Sequence, residues 1–333
     1  MNNPVPWLER NMEAALEPEL PICDPHHHLW DYPDSRYLVD EFLGEIKGGH
    51  RVVKTVFVEC LQKYRADGPK ALRPVGETEF IDRITRNCQS PQATTRVAAG
   101  IVGFADLTLG DEVEAVLEAH LEASPRFRGI RHATAWDASE QIHKTYTNPP
   151  KELLLDQKFR AGFACLGKLG LSFDAWLYHT QIDELGQLAE AFPDTRIILD
   201  HIGGPLSIGP YAGKRDEVFA EWQQRMARLA AHQNITVKLG GLTMKSNGFG
   251  WHRRDAPPSS AEIAETMKPY FHTCIDYFGS ARCMFESNFP IDKVSCSYTT
   301  LWNAFKRVAQ DYTAEERQAL FHDTATRTYR LAP

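Results

Sequence analysis

The stretch Asp24-Pro25-His26-His27-His28-Leu29-Trp30 places two imidazoles two residues apart in an apolar setting. Side chains at i and i+2 of an extended strand share a face, so His26 and His28 are expected to point together and His27 away. Paired neutral imidazoles suit a borderline divalent cation, zinc above all, and a strand end presents them with little ordering cost. Three further histidines, His132, His179 and His201, also close apolar runs. His179 and His201 are expected at the carboxyl rim of their strands, where barrel chemistry takes place. His132, beside Arg131, is either a substrate contact or a structural ring bonded to the backbone.

Those histidines need a scaffold that brings distant strand ends together. Short β-branched runs alternate with segments of helical period, the pattern of repeated βα units. The runs fall at 21–28, 54–60, 96–104, 127–132, 172–179, 196–201, 235–240 and 282–287, and helices are expected at 75–88, 110–123, 157–169, 180–192, 219–232, 261–278 and 301–310. Eight strands, with no glycine-rich nucleotide fingerprint after the first, predict a closed (β/α)₈ TIM barrel rather than an open sheet. Nothing suggests a linker, so residues 1–333 are read as one domain, with 1–20 a helical extension whose amphipathic stretch 7–16 covers the bottom of the core. Segments 203–215 and 241–260 exceed ordinary connection lengths, and the second, with Trp251, is expected to shape substrate choice.

Positive groups on the strands are few. By alternation Arg128 and Arg131 cannot both point inward, and Arg131 lies nearer the rim. With Lys238 on the seventh strand it would suit an anionic substrate, because guanidinium grips carboxylates through paired hydrogen bonds. The net charge of −7 on 333 residues, without a basic block, gives no footprint for nucleic acid or an anionic membrane surface, so a small molecule is the expected partner. Seven scattered cysteines without a C-x-x-C pair fit reduced thiols in the cytoplasm. The first twenty residues carry four glutamates and have neither a signal-peptide core nor a spanning helix. A homo-oligomer is compatible with the sequence but not read from it.

The ordered set DPHHHLWD, VFVEC, FRGIRHAT, LSFDAWLYHTQIDEL, ILDHIGGP, VKLGGL and MFESNFPID, spanning nearly the whole chain, resembles the lactonase-like branch of the amidohydrolase superfamily. The resemblance implies a distorted barrel in which His26 and His28 end the first strand, His179 the fifth and His201 the sixth. It implies a divalent metal, zinc foremost, on His26, His28 and His179, although some relatives work without one. Related enzymes hydrolyse sugar lactones, a pyrone dicarboxylate or a sulfonated muconolactone. The expected activity is therefore opening of a lactone or similar cyclic ester by water. Non-oxidative decarboxylation and a binding barrel without catalysis are the alternatives.

One position departs from the family. Its eighth strand usually delivers an aspartate as metal ligand and general base, and Asn288 stands there; an amide cannot accept the proton. Glu286, which shares a strand face with Asn288, is the favoured replacement, ahead of Asp292 and Glu59. His201 and His179 are expected to act with Glu286 and Asn288, while Arg131, His132, Glu59, Tyr178, Trp30, Lys238, Trp251 and Asp292 are expected around the substrate.

Overall fold

In a computed structural model, which describes residues 6–90 and 92–332, eight parallel strands each pair with the next in chain order. They are β1 (Ile22–His27), β2 (Val52–Val58), β3 (Arg96–Gly103), β4 (Phe127–Arg131), β5 (Ser172–Ala175), β6 (Ile197–Leu199), β7 (Ile235–Leu239) and β8 (Cys283–Phe285). Each coincides with an expected run. Their residues are mostly buried on both faces, as a parallel sheet under a helical layer requires. The barrel closes just past β8: Asn288 N–H donates to the His26 carbonyl at 2.9 Å, and His28 N–H to that of Phe289 at 2.8 Å.

Eight helices alternate with the strands: α1 (Val39–Ile46), α2 (Val75–Ile84), α3 (Val113–Ala123), α4 (Gln157–Lys168), α5 (Ile182–Ala191), α6 (Arg215–Leu229), α7 (Ser260–Phe278) and α8 (Tyr298–Val308). The first was not anticipated, although Val39, Phe42, Leu43 and Ile46 carry its period. Side-chain caps start three of them, with Asp156, Ser259 and Ser297 accepting from the third backbone N–H of α4, α7 and α8. No helix among the described residues is long and apolar enough to cross a membrane.

The ends of the chain differ from expectation. Stretch 7–16 contains only a 3₁₀ turn, Trp7–Asn11, with no buried residue, and residues 1–5 of the extension lie outside the described residues. It straps across α7 and α8: Ser260 N–H donates to Glu13 Oε1, and Leu16 N–H to Asn303 Oδ1. The barrel interior is filled instead by the other terminus. Ala325, Tyr329 and Leu331 pack on Cys23, Val56, Val102 and Met284, and Tyr329 Oη donates to Asp174 at 2.6 Å.

Candidate active site

Alternation on β1 has the expected result. His27 turns outward, stacking on Phe42 with 4.2 Å between ring centres and meeting Thr55 Oγ1 at 2.8 Å. His26 and His28 turn inward, and their Nε2 atoms come within 3.3 Å. His28 Nδ1–H donates to the Val58 carbonyl at 2.8 Å, which leaves Nε2 with its lone pair. Burial, reinforced by the charges of His26 and Arg131, holds the His28 ring well below the usual imidazole range and so neutral.

Asp200 and His201 follow β6, and neighbours on a regular strand would face opposite ways. They converge because the chain turns left-handed at His201 (φ 54°), Ile202 (φ 50°), Gly203 (φ 75°) and Gly204 (φ 49°). Such residues cost about 1–3 kcal/mol each when they are not glycine, and persist only where the surroundings fix them. His201 is fixed by Glu286, whose Oε1 accepts both its backbone N–H at 3.0 Å and its Nδ1–H at 2.6 Å. The other oxygen, Oε2, lies 2.8 Å from His26 Nδ1.

The two glycines after β7 make room for this pair. A Cβ on Gly240 would stand 2.3 Å from Glu286 Cγ, and one on Gly241 (φ 69°) would stand 2.5 Å from His201 Cβ and Cγ. Gly241→Ala is therefore expected to displace the His201 ring. Because misplacement of about 1 Å can cost roughly 10²-fold in rate, kcat should fall by about that factor while KM changes less. Steady-state kinetics on a variant with an unaltered circular dichroism spectrum would check it.

Beneath the histidines lies a buried ion-pair network. Lys238 Nζ on β7 is 2.7 Å from Asp174 Oδ2 and 2.9 Å from Asp200 Oδ1. Arg131 Nε and Nη2 donate to Oε1 and the carbonyl of Glu59, and Arg131 Nη1 is 3.4 Å from His26 Nε2. Burial by itself raises the Glu286 carboxyl, yet its bonds to the His201 and His26 rings hold it down at about 2. Asp174 is pushed up by burial to about 6 despite Lys238, whereas Asp200, equally buried, is pulled well below its ordinary value by Lys238 and His26.

A divalent cation fits this chemistry. One ligand atom from each of His26, Asp200 and His201 lies within 4.8 Å of the others, and the unprotonated His28 Nε2 faces His26. Four carboxylates, Glu59, Asp174, Asp200 and Glu286, share the network with only two fixed cations, Arg131 and Lys238. A dication would offset the excess.

The network floors a cavity of about 490 Å³ at the carboxyl rim. His28, Trp30, Arg131, His201 and Asn288 line it, as expected, and Asn288 Nδ2 makes no well-formed hydrogen bond. Arg128, as predicted, turns away, donating to the Pro125 and Phe127 carbonyls. Glu286, expected as the base, does not line the cavity: its Oε1 bonds the His201 ring, its Oε2 lies near His26, and its carboxyl is held at about 2. Glu59 and Lys238 lie behind the floor as partners of Arg131, Asp174 and Asp200. Asp292, also buried behind the floor, has its carboxyl pushed up by burial to about 7.

Four expectations are corrected. His179 stands apart from the other three histidines, because β5 ends at Ala175 and the chain enters a 3₁₀ turn there; its ring packs on Tyr211, and its Nδ1 accepts from Leu206 N–H. Tyr178 points its hydroxyl at the His143 carbonyl. Trp251 is buried, stacked on Phe249, so that of segment 241–260 Met244 alone borders the cavity. His132 lines a neighbouring hollow against Phe104 and Phe159.

Other lining residues were not anticipated. Ala133, His143, Thr145 and Tyr146 come from the long connection 132–156, and Tyr32 from a hairpin of Trp30–Tyr32 with Ser35–Tyr37. The length of 132–156, greater than that of either loop singled out, was the signal that could have revealed the first group.

Comparison with known proteins agrees with this architecture. The y4mH protein of Sinorhizobium fredii, itself uncharacterised, is 33% identical over 335 residues, covering 94% of this chain and 99% of its own. An L-fucono-1,5-lactonase of Burkholderia ambifaria is 27% identical over 244 residues, 70% of this chain and 73% of that enzyme. An amidohydrolase of Burkholderia multivorans, solved with bound zinc, superposes with a TM-score of 0.72 at 23% identity, over 93% of this chain and 99% of that one. The amidohydrolase family model itself matches residues 23–331. With that match covering nearly all of a barrel whose histidines meet at its carboxyl rim, the chain belongs to the amidohydrolase family and is an enzyme of that superfamily.

Proposed function

We propose that this enzyme opens a lactone or similar cyclic ester, with His201 as the proton-transfer group. The observation that carries the reading is the His201 ring at the cavity floor, its Nδ1–H held by Glu286 at 2.6 Å so that Nε2 keeps its lone pair for a water. A carboxylate on the far nitrogen orients such a ring and stabilises its protonated form. Water attacks the ring carbonyl as His201 takes its proton, and the same proton passes to the departing ring oxygen, giving a hydroxy acid. Arg131 Nη1 and Asn288 Nδ2 are the donors available for the developing oxyanion, a role an aspartate at 288 could not fill.

His26 and Asp200, two members of the cluster that His201 completes, are proposed to hold a divalent ion together with the free Nε2 of His28, zinc by analogy with the Burkholderia multivorans structure. Such an ion supplies Lewis-acid polarisation and lowers the pKa of water. The lactonase relatives favour cyclic esters over the decarboxylation named for more distant neighbours. Ring opening of a lactone panel, followed by acid release in a pH-stat with and without chelator, tests the reading. Carbon dioxide release without ring opening would replace it.

A further inference from the structure

We propose that the substrate is amphipathic and uncharged: a lactone ring set on the polar floor, carrying an alkyl or aryl group that covers the rim. The inference rests on the lactonase reading and adds the substrate class. Seven large apolar side chains among the described residues are substantially exposed, and four of them, Tyr32, Leu61, Tyr146 and Ile291, border this one cavity. They are 40%, 39%, 41% and 41% exposed and come from four separate segments of the chain, so no single loop accounts for the clustering. Scattered surface hydrophobics are ordinary, but a contiguous set around a concave site marks what the site receives.

The floor argues against a charged ligand. Arg131 spends Nε and Nη2 on Glu59, which leaves Nη1 alone and no paired fork for a substrate carboxylate, and Lys238 lies between Asp174 and Asp200. With a dication bound, the four carboxylates of the network are only balanced, so the floor offers an anion no net positive charge. The anionic substrate expected from Arg131 and Lys238 thus loses its basis. A polyhydroxylated ring gains little from Leu61 and Ile291, which offer its hydroxyls no partner.

Rim binding that is equal in ground and transition states lowers KM and leaves kcat unchanged. Each methylene taken from water should lower KM about fourfold, equivalent to about 0.8 kcal/mol, until the rim is covered. The test compares γ-butyrolactone, γ-hexalactone, γ-nonalactone and glucono-1,5-lactone. The expected result is KM falling with chain length, and a smaller KM ratio between the first and third substrates in Ile291→Ser. A glucono-lactone preferred over γ-nonalactone, or a KM indifferent to chain length, overturns the inference and leaves the lactonase reading standing.

A second measurement needs no turnover. Quenching of tryptophan fluorescence, to which Trp30 and Trp176 in the cavity wall contribute, is titrated with 2-pentyltetrahydrofuran and with unsubstituted tetrahydrofuran. Tighter binding of the pentyl compound, weakened by Ile291→Ser, supports the inference even if no lactone is opened. Equal or absent binding of the two ethers sinks it.

Discussion

Replacing His201 by Asn is expected to lower kcat by roughly 10²–10⁴-fold, the range for loss of a positioned acid–base group, with KM changed far less. Asparagine keeps a polar group of similar reach but cannot carry the proton. The backbone N–H of residue 201 still donates to Glu286 at 3.0 Å, so the left-handed turn retains its anchor and the variant should fold. Metal content is the discriminating readout. If the ion is lost together with activity, His201 is a ligand and the proton-transfer role passes elsewhere; unchanged rates would remove it from the chemistry. Glu286→Gln should reproduce part of the loss, because a neutral amide no longer stabilises the protonated ring.

The second large effect is on stability. Lys238→Met leaves Asp174 and Asp200 buried without their cation, and breaking one side of a buried pair costs about 3–5 kcal/mol. Urea denaturation should show this as a lower midpoint with an unchanged slope. The loss has a pH signature. Asp174 already sits at about 6, above its ordinary value of 3.8, and removing Lys238 raises it further. A carboxyl raised in the folded state favours folding at low pH and loses that contribution as pH climbs from the unfolded value toward the folded one. The deficit of Lys238→Met should therefore be smallest near pH 4 and grow toward neutrality, and Lys238→Met with Asp174→Asn should recover part of it. A deficit independent of pH would mean that the lysine stem, not its charge, carries the effect.

Much of the barrel was legible because parallel strands buried on both faces read as apolar runs, and two-residue periodicity is a strong geometric constraint. That rule separated His26 and His28 from His27 and chose Arg131 over Arg128. It failed where the chain leaves the ladder. Alternation assigns Asp200 and His201 to opposite faces, and only the left-handed residues from His201 to Gly204 let both converge. His179 was misplaced because the run from Ser172 continues apolar past Ala175, although the strand stops there. The role of Glu286 was out of reach, since its acidity depends on two rings delivered by β1 and β6. The walls were hidden for a different reason: 132–156 and the Trp30 hairpin have no period long enough to read.

The seam between β1 and the segment after β8 has a further consequence. Backbone hydrogen bonds join His26 and His28 to Asn288 and Phe289, about 260 residues downstream, so the same contacts that shut the cylinder also assemble the reaction centre. During synthesis, an emerging polypeptide lacks that centre until residue 289 has left the ribosome, and pairing across so great a sequence distance is entropically slow. Catalytic competence thus reports completion of the ring, and a nascent fragment should stay inert however much of its helical layer has formed.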